Sequence, residues 1–308
     1  MSEETEDKGL LPFDKKTRSN IYFAVFLLAI FMTVLVHSCN YNNDQVTNPQ
    51  DNEYQTPKIN SIHVALGVPE DGTPSDDYWM QGRPQYIISY NNELHAANWV
   101  AWNLDALWFG DAPRFSGNFK EDPLLPDGFY RVKHSDFTNS GYDRGHMVRS
   151  EERTANDDDN LSTFYTTNIL AQHPDLNQGP WAILENYCED LCKKQNKELF
   201  IVAGGIFHTK NRYKDIVPIA DSCFKIIVVL DRDKGIKEVT KSTQIIAVVM
   251  PNQSGIRKVD WHTFITSVDR IENSTGYDFL NALPKSIQKE IEARTTTSIA
   301  YRTGANKN

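Results

Sequence analysis

The chain has 308 residues, 40% of them apolar and 11% aromatic, enough to bury one substantial core and to imply a single folded domain with an N-terminal appendage. Its formal charge of -9 argues against a protein that holds nucleic acid by bulk electrostatics, because such binders release counterions from a basic surface. A protein that meets phosphates locally, through a metal and a few arginines, stays allowed.

Residues 21–36 read IYFAVFLLAIFMTVLV, without a charge, behind Lys15, Lys16 and Arg18. At about 1.5 Å per residue a helix of this run covers roughly 24 Å of a hydrocarbon core about 30 Å thick, so it suits a signal h-region and a short anchor almost equally. The leader, residues 1–20, is long and carries Glu3, Glu4, Glu6 and Asp7, which favours an uncleaved signal anchor. Cys39, closing the sequence LVHSC, fits instead a bacterial lipoprotein processing site, to which His37 is a poor match. Both readings of residues 21–39 leave the basic flank in the cytoplasm and the rest of the chain outside it, membrane-anchored or lipidated at the cell envelope. Residues 40–61 have the Asn, Asp, Gln, Thr and Pro composition of a linker, and the folded domain is expected over residues 62–308.

Within the domain, residues 85–90 (QYIISY) and 98–104 (NWVAWNL) read as two strands of a hairpin joined by the polar residues 91–95. A helix is expected over residues 180–192, where Trp181, Leu184, Tyr187 and Leu191 recur at three- and four-residue steps behind Pro180. Residues 199–205, 224–230 and 244–250 are short apolar runs rich in β-branched residues, typical of central strands. A short helix over residues 261–271 and a further one over 284–293 complete the set. Strands and helices without a regular βαβ repeat imply an α+β fold with a central mixed, mainly antiparallel sheet flanked by helices. Cys188, Cys192 and Cys223 read as small buried residues, since two cysteines four apart on one helix would constrain little if bridged.

The chemistry concentrates in residues 141–147, GYDRGHM. Phosphodiester hydrolysis needs a nucleophilic water, a cation on the phosphoryl oxygens and a stabilised leaving oxygen. His146 has the ordinary pKa of a base near neutrality, Arg144 can orient an anion, Gly145 lets the backbone bend and Asp143 can fix local geometry or waters. A second block, residues 166–185, places Asn168 before the expected helix, Asn177 near its start and Glu185 eight residues on, so that a helix covering both would show them on one half. Each has a bland alternative: Asn168 as a turn cap, Asn177 as a helix cap, Glu185 as a solvated charge. His134, His173 and His208 raise the alternative of a site with a second histidine as metal ligand, against which Pro174 and the placement of Asn177 both weigh.

Asp143-Arg144-Gly145-His146, followed by Asn168 and by residues 175–185 (DLNQGPWAILE), resembles the DNA/RNA non-specific endonuclease family, the ββα-metal or His-Me finger nucleases. The likeness runs through residues 98–102, Gly204 and residues 275–279, roughly 82–284 in all. It implies hydrolysis of DNA and RNA with low sequence specificity and 5′-phosphate products, with His146 as the base that activates water. Asn177 would be the direct protein ligand of a hydrated Mg2+, or of Mn2+, a hard ion that suits a carboxamide oxygen. The resemblance also implies that Asn168 orients His146 or the phosphate region, that Glu185 holds metal-bound water, and that Arg144 lies close by. Arg114 is the candidate for an arginine that stabilises the transition state. Some members carry an arginine one helical turn after the Glu, where this chain has Glu189, and the reversed charge weighs against a phosphate contact there. The expected partners are DNA and RNA substrates and the membrane, and a homodimer is compatible with the sequence. The alternative function is a catalytically weak or inactive nuclease-fold protein that binds nucleic acid or a partner.

Overall fold

A computed structural model of the chain describes residues 58–295; the apolar run, Cys39 and the linker up to residue 57 lie outside the described residues. Among the described residues no helix is long and apolar enough to cross a membrane. The strands, in chain order, are β1 (Tyr78–Met80), β2 (Ile87–Asn91), β3 (Ala96–Leu104), β4 (Asp143–His146), β5 (Ile169–Gln172), β6 (Lys197–Ile206), β7 (Arg212–Tyr213), β8 (Val217–Pro218), β9 (Ser222–Asp231), β10 (Gln244–Pro251) and β11 (Ile265–Thr266). Among the described residues four helices of six residues or more accompany them: α1 (Asp157–Ser162), α2 (Ala182–Gln195), α3 (Val268–Thr275) and α4 (Lys285–Glu292).

One seven-stranded sheet, ordered β1-β2-β3-β6-β9-β10-β11, carries the fold. All of its pairings are antiparallel, so the sheet is more uniform than the mixed one expected. The hairpin of β2 and β3 forms as read, with a bulge between Ser89 and Tyr90. Side chains alternate across the pleat: Val100, Trp102, Ile201, Ala203, Ile227 and Val229 enter one core. Trp99, Ala101, Phe200, Ile226 and Val228 enter the other. Because both faces are covered, the strands read as continuous apolar runs rather than as alternating ones.

Helix α2 lays Leu184, Cys188 and Leu191 on the first face, and its end is set by Asn196, which adopts the left-handed conformation at φ 54° and donates to Leu191 O. Helices α3 and α4 cover the second face through Val268, Ile271 and Ile291. The helix expected over residues 261–271 is divided: a 3-10 turn at Trp261–Phe264 passes into β11, and Ser267, whose Oγ accepts from Arg270 N, restarts the helix as α3. Cys188, Cys192 and Cys223 are buried free thiols.

Apart from the large sheet, β4 and β5 form a two-stranded antiparallel finger in which Asp143 faces Gln172 and His146 faces Ile169. A small apolar cluster of Val132, Phe137, Ile169, Ala171 and Val217 supports it.

Candidate active site

The finger leads directly into the helix. After β5, Pro174–Leu176 makes one helical turn, Asn177–Trp181 a wider one, and α2 follows. Gly179 leaves helical geometry (φ -114°, ψ -121°), and the chain there runs so close to its neighbour that a Cβ would lie 2.8 Å from Arg257 Cα and Arg257 O. Asn177 and Glu185 therefore stand on either side of a break, and the single helix face expected to present both does not exist. The sequence of strand, strand and helix nonetheless puts Asp143 against the turn that carries Asn177.

Asn177 Nδ2 donates to Asp143 Oδ2 at 2.9 Å, and Gln178 Nε2 donates to the same oxygen at 2.7 Å. A carboxylate only accepts, so this contact fixes which end of the Asn177 amide is which. Among the described residues Asn177 Oδ1 accepts no hydrogen bond, and it is the oxygen a hard cation would take.

His146 is partly exposed, but its Nε2 is enclosed and has no hydrogen-bond partner. Phe119 stands 5.3 Å from the ring centroid to centroid, and Phe164 stands at 5.0 Å, edge-on at 84°. Burial, then the charge of Arg114, lower its pKa to about 3, against a smaller opposing effect of Glu151. The imidazole is therefore neutral at pH 7, the state a base requires. With Nε2 walled off, Nδ1 is the ring nitrogen that can meet a water.

Arg114 reaches the same pocket, its guanidinium 5.0 Å from the Phe164 ring. Its Nη1 donates to Ser150 Oγ and, at 2.8 Å, to Glu151 Oε1, while about half the side chain stays open. Arg144 turns elsewhere: Nη2 donates to His134 O at 2.8 Å and Thr138 Oγ1 at 3.4 Å, over the Phe137 ring. It braces residues 134–138 against β4.

Asn168 is fully buried, and its amide is spent on backbone. Nδ2 donates to Val148 O and Thr163 O, and Oδ1 accepts from Val148 N, each at 2.9 Å. It holds the segment leaving His146 rather than the imidazole itself. Gly145 lies within β4, and its missing side chain makes room for Gln172, whose Oε1 a Cβ would overlap. His173 Nδ1 accepts from Asp175 N at 3.1 Å, the geometry of a helix cap.

Glu185 is not a solvated charge but a buried one, 7% exposed, with Oε1 3.3 Å from Lys225 Nζ. Burial raises its pKa, opposed by Lys225 and Arg149. Lys225, on β9 and 1% exposed, lies 4.3 Å from the Trp181 ring and 5.5 Å from that of Trp102. Trp102 Nε1 in turn donates to Glu152 Oε2 at 2.9 Å, and burial pushes Glu152 up to about 7. Sequence reasoning missed Lys225, Phe119, Phe164 and Arg149. A lone lysine inside the apolar run of β9 is the one signal that could have announced a buried anionic partner.

A ββα unit that presents a neutral histidine, a carboxamide fixed by an aspartate and an arginine beside the histidine defines a nuclease of the ββα-metal class. The chain belongs to the DNA/RNA non-specific endonuclease family, whose model matches residues 65–286, and so is an endonuclease of DNA and RNA with low sequence specificity. It is 42% identical over 238 residues to a nuclease of Nostoc sp., covering 76% of this chain and 86% of that one. Over 252 residues it is 27% identical to the mitochondrial nuclease of Saccharomyces cerevisiae, covering 76% and 75% of the two chains. A chain from the crystal structure of the EndoG/EndoGI complex superposes with a TM-score of 0.61 over 75% of this chain and 95% of that chain, at 22% identity, and shows the shared fold.

Proposed function

We propose that the chain is a Mg2+-dependent phosphodiesterase in which His146 takes the proton of the attacking water and Asn177 binds the ion, with Mn2+ as a substitute. The observation that carries this reading is the grip of Asp143 on the Asn177 amide, which turns Oδ1 away from protein partners on the same strand that holds His146. A bound ion would supply Lewis-acid polarisation of the phosphoryl oxygens and stabilise the leaving oxygen.

The remaining roles belong to the chain itself. Burial and Arg114 keep His146 unprotonated at neutral pH, so Nδ1 holds a free lone pair with which to receive the proton of the attacking water as the water reacts. Arg114, half open beside the Phe164 ring, contacts the phosphate and stabilises its growing charge. Asn168 fixes the backbone that carries His146, and Glu185, held by Lys225, orients water on the helix side of the site. A sequence-reading element in a groove would need its own module, so contacts to phosphate and sugar carry binding without base preference.

We extend the reading to location. The apolar run at residues 21–36 and its basic flank support a catalytic domain tethered outside the cytoplasm, by an uncleaved anchor or through lipid on Cys39. The mass of the mature N-terminus separates these two forms. The catalytic assignment is tested by cleavage of single- and double-stranded DNA and RNA with and without EDTA: metal-independent cleavage would refute it.

A further inference from the structure

On the face of the sheet opposite α2, three carboxylates converge where α3 meets α4. Asp269, Glu272 and Glu292 each offer an oxygen within 4.8 Å of the other two. Asp269 and Glu272 lie three apart on α3 and so share a face, while Glu292 comes from the last turn of α4. Glu272 Oε1 already accepts from Phe279 N at 2.9 Å. Glu292 is the unusual member: it is 6% exposed, and its Oε1 is enclosed with no hydrogen-bond partner.

A buried carboxylate without a donor, set against two more, demands neutralisation. The nearby cations make their contacts elsewhere. Lys285 binds Asp278 and Gln288, Arg294 donates to Thr243 O and Lys241 O, and Lys241 pairs with Glu290. Among the described residues none of the three carboxylates takes part in a salt bridge. With no cation of the described residues in contact with them, the three carboxylates leave room for a proton or a metal ion.

We propose that Asp269, Glu272 and Glu292 form a second divalent-cation site, separate from Asn177, that takes Ca2+ and staples α3 to α4. Three carboxylate oxygens from two helices, with solvent reaching the exposed Asp269 side, suit an ion that accepts irregular oxygen shells completed by water. Mg2+ demands near-octahedral geometry and sheds its waters reluctantly, so it is the poorer fit. The site is structural: both helices close the second core through Val268, Ile271 and Ile291, so an ion bound in the folded state stabilises that layer.

The test uses the full chain, stripped with EDTA, and reads thermal unfolding and calorimetric titration with Ca2+. Asn177→Ala serves as the background, so that the active site contributes no binding. A Kd of roughly 0.1–1 mM and a Tm gain of about 5 °C at saturating Ca2+ are expected. Glu292→Gln and Asp269→Asn should each abolish that gain in the Asn177→Ala background and, placed in the wild-type chain, each should keep Mg2+-supported nuclease activity. Asp269 is exposed, so its variant remains informative if Glu292→Gln fails to fold. A Tm that Ca2+ leaves unmoved, or a gain that survives in Asp269→Asn and Glu292→Gln, would overturn the proposal and assign the cluster to a shared proton.

Discussion

Arg149 Nη2 lies 2.9 Å from Glu189 Oε2, and this pair ties the segment leaving His146 to the helix that carries Glu185. Arg149 also donates through Nη1 to Asn186 Oδ1 at 2.8 Å and through Nε to Glu151 Oε2 at 3.1 Å. Glu151 binds Arg114 as well, so Arg114, Glu151, Arg149 and Glu189 make one continuous line of alternating charge. Glu189, which read as a lost phosphate contact, is neutralised by Arg149 and by Lys193 at 2.7 Å.

Arg149→Ala should therefore lower kcat/KM by roughly tenfold, through misplacement of Arg114 and of the His146 segment. The exchanged pair Arg149→Glu with Glu189→Arg should recover part of the loss, which either single exchange would not. Steady-state kinetics on a short duplex, with a double-mutant cycle over the two positions, reads the coupling directly.

The buried pair of Glu185 and Lys225 yields a separation of stability from activity. Lys225→Met leaves a carboxylate buried without its partner and should cost about 3–5 kcal/mol, lowering Tm by about 10 °C. Adding Glu185→Leu should restore most of the Tm while activity stays low. Differential scanning calorimetry beside a nicking assay checks both, and recovery of activity along with Tm would remove Glu185 from the catalytic roles.

For His146 the pH dependence follows from its lowered pKa. In the unfolded chain the imidazole takes a proton as pH falls through its ordinary value of 6.5, whereas in the folded chain it declines the proton down to about 3. Its contribution to stability is therefore full above 6.5 and is lost progressively between 6.5 and 3. His146→Asn should flatten the fall of Tm between pH 7 and pH 5 relative to wild type. Ring resonances of His146 followed by NMR should show no titration above pH 5, and a midpoint near 6.5 would contradict the burial argument.

Gly179→Ala tests the break between Asn177 and α2. The added Cβ meets the backbone of Arg257, which cannot move aside as a side chain could, so the variant should lose about 2 kcal/mol. Metal affinity should fall with it, because Asn177 sits two residues away on the displaced turn. Urea unfolding and a metal titration of the initial rate measure the two effects.

The family was legible in the sequence because residues 143–146 and 168–185 resemble its motifs, and the long strands were legible because β2, β3, β6, β9 and β10 need apolar runs. The helix-face relation of Asn177 to Glu185 was not, since spacing cannot reveal that Gly179 leaves the helix against Arg257. Strands β1, β4, β5 and β11 are two to four residues long, too short for a periodicity to stand out. Lys225, Phe119, Phe164 and Arg149 reach the site only through pairings that the fold creates, such as β6 with β9. A second reason for Gly145 was hidden in the same way: the partner that forbids a side chain, Gln172, is across the finger from Asp143.

The central claim is that His146 is the base of a metal-dependent hydrolysis, and plasmid nicking by wild type and His146→Ala, with Mg2+ or with EDTA, tests it most directly. Wild type should nick with Mg2+ and stop in EDTA, and His146→Ala, still folded at pH 7, should be slower by about a thousandfold. Undiminished nicking by folded His146→Ala would contradict the account.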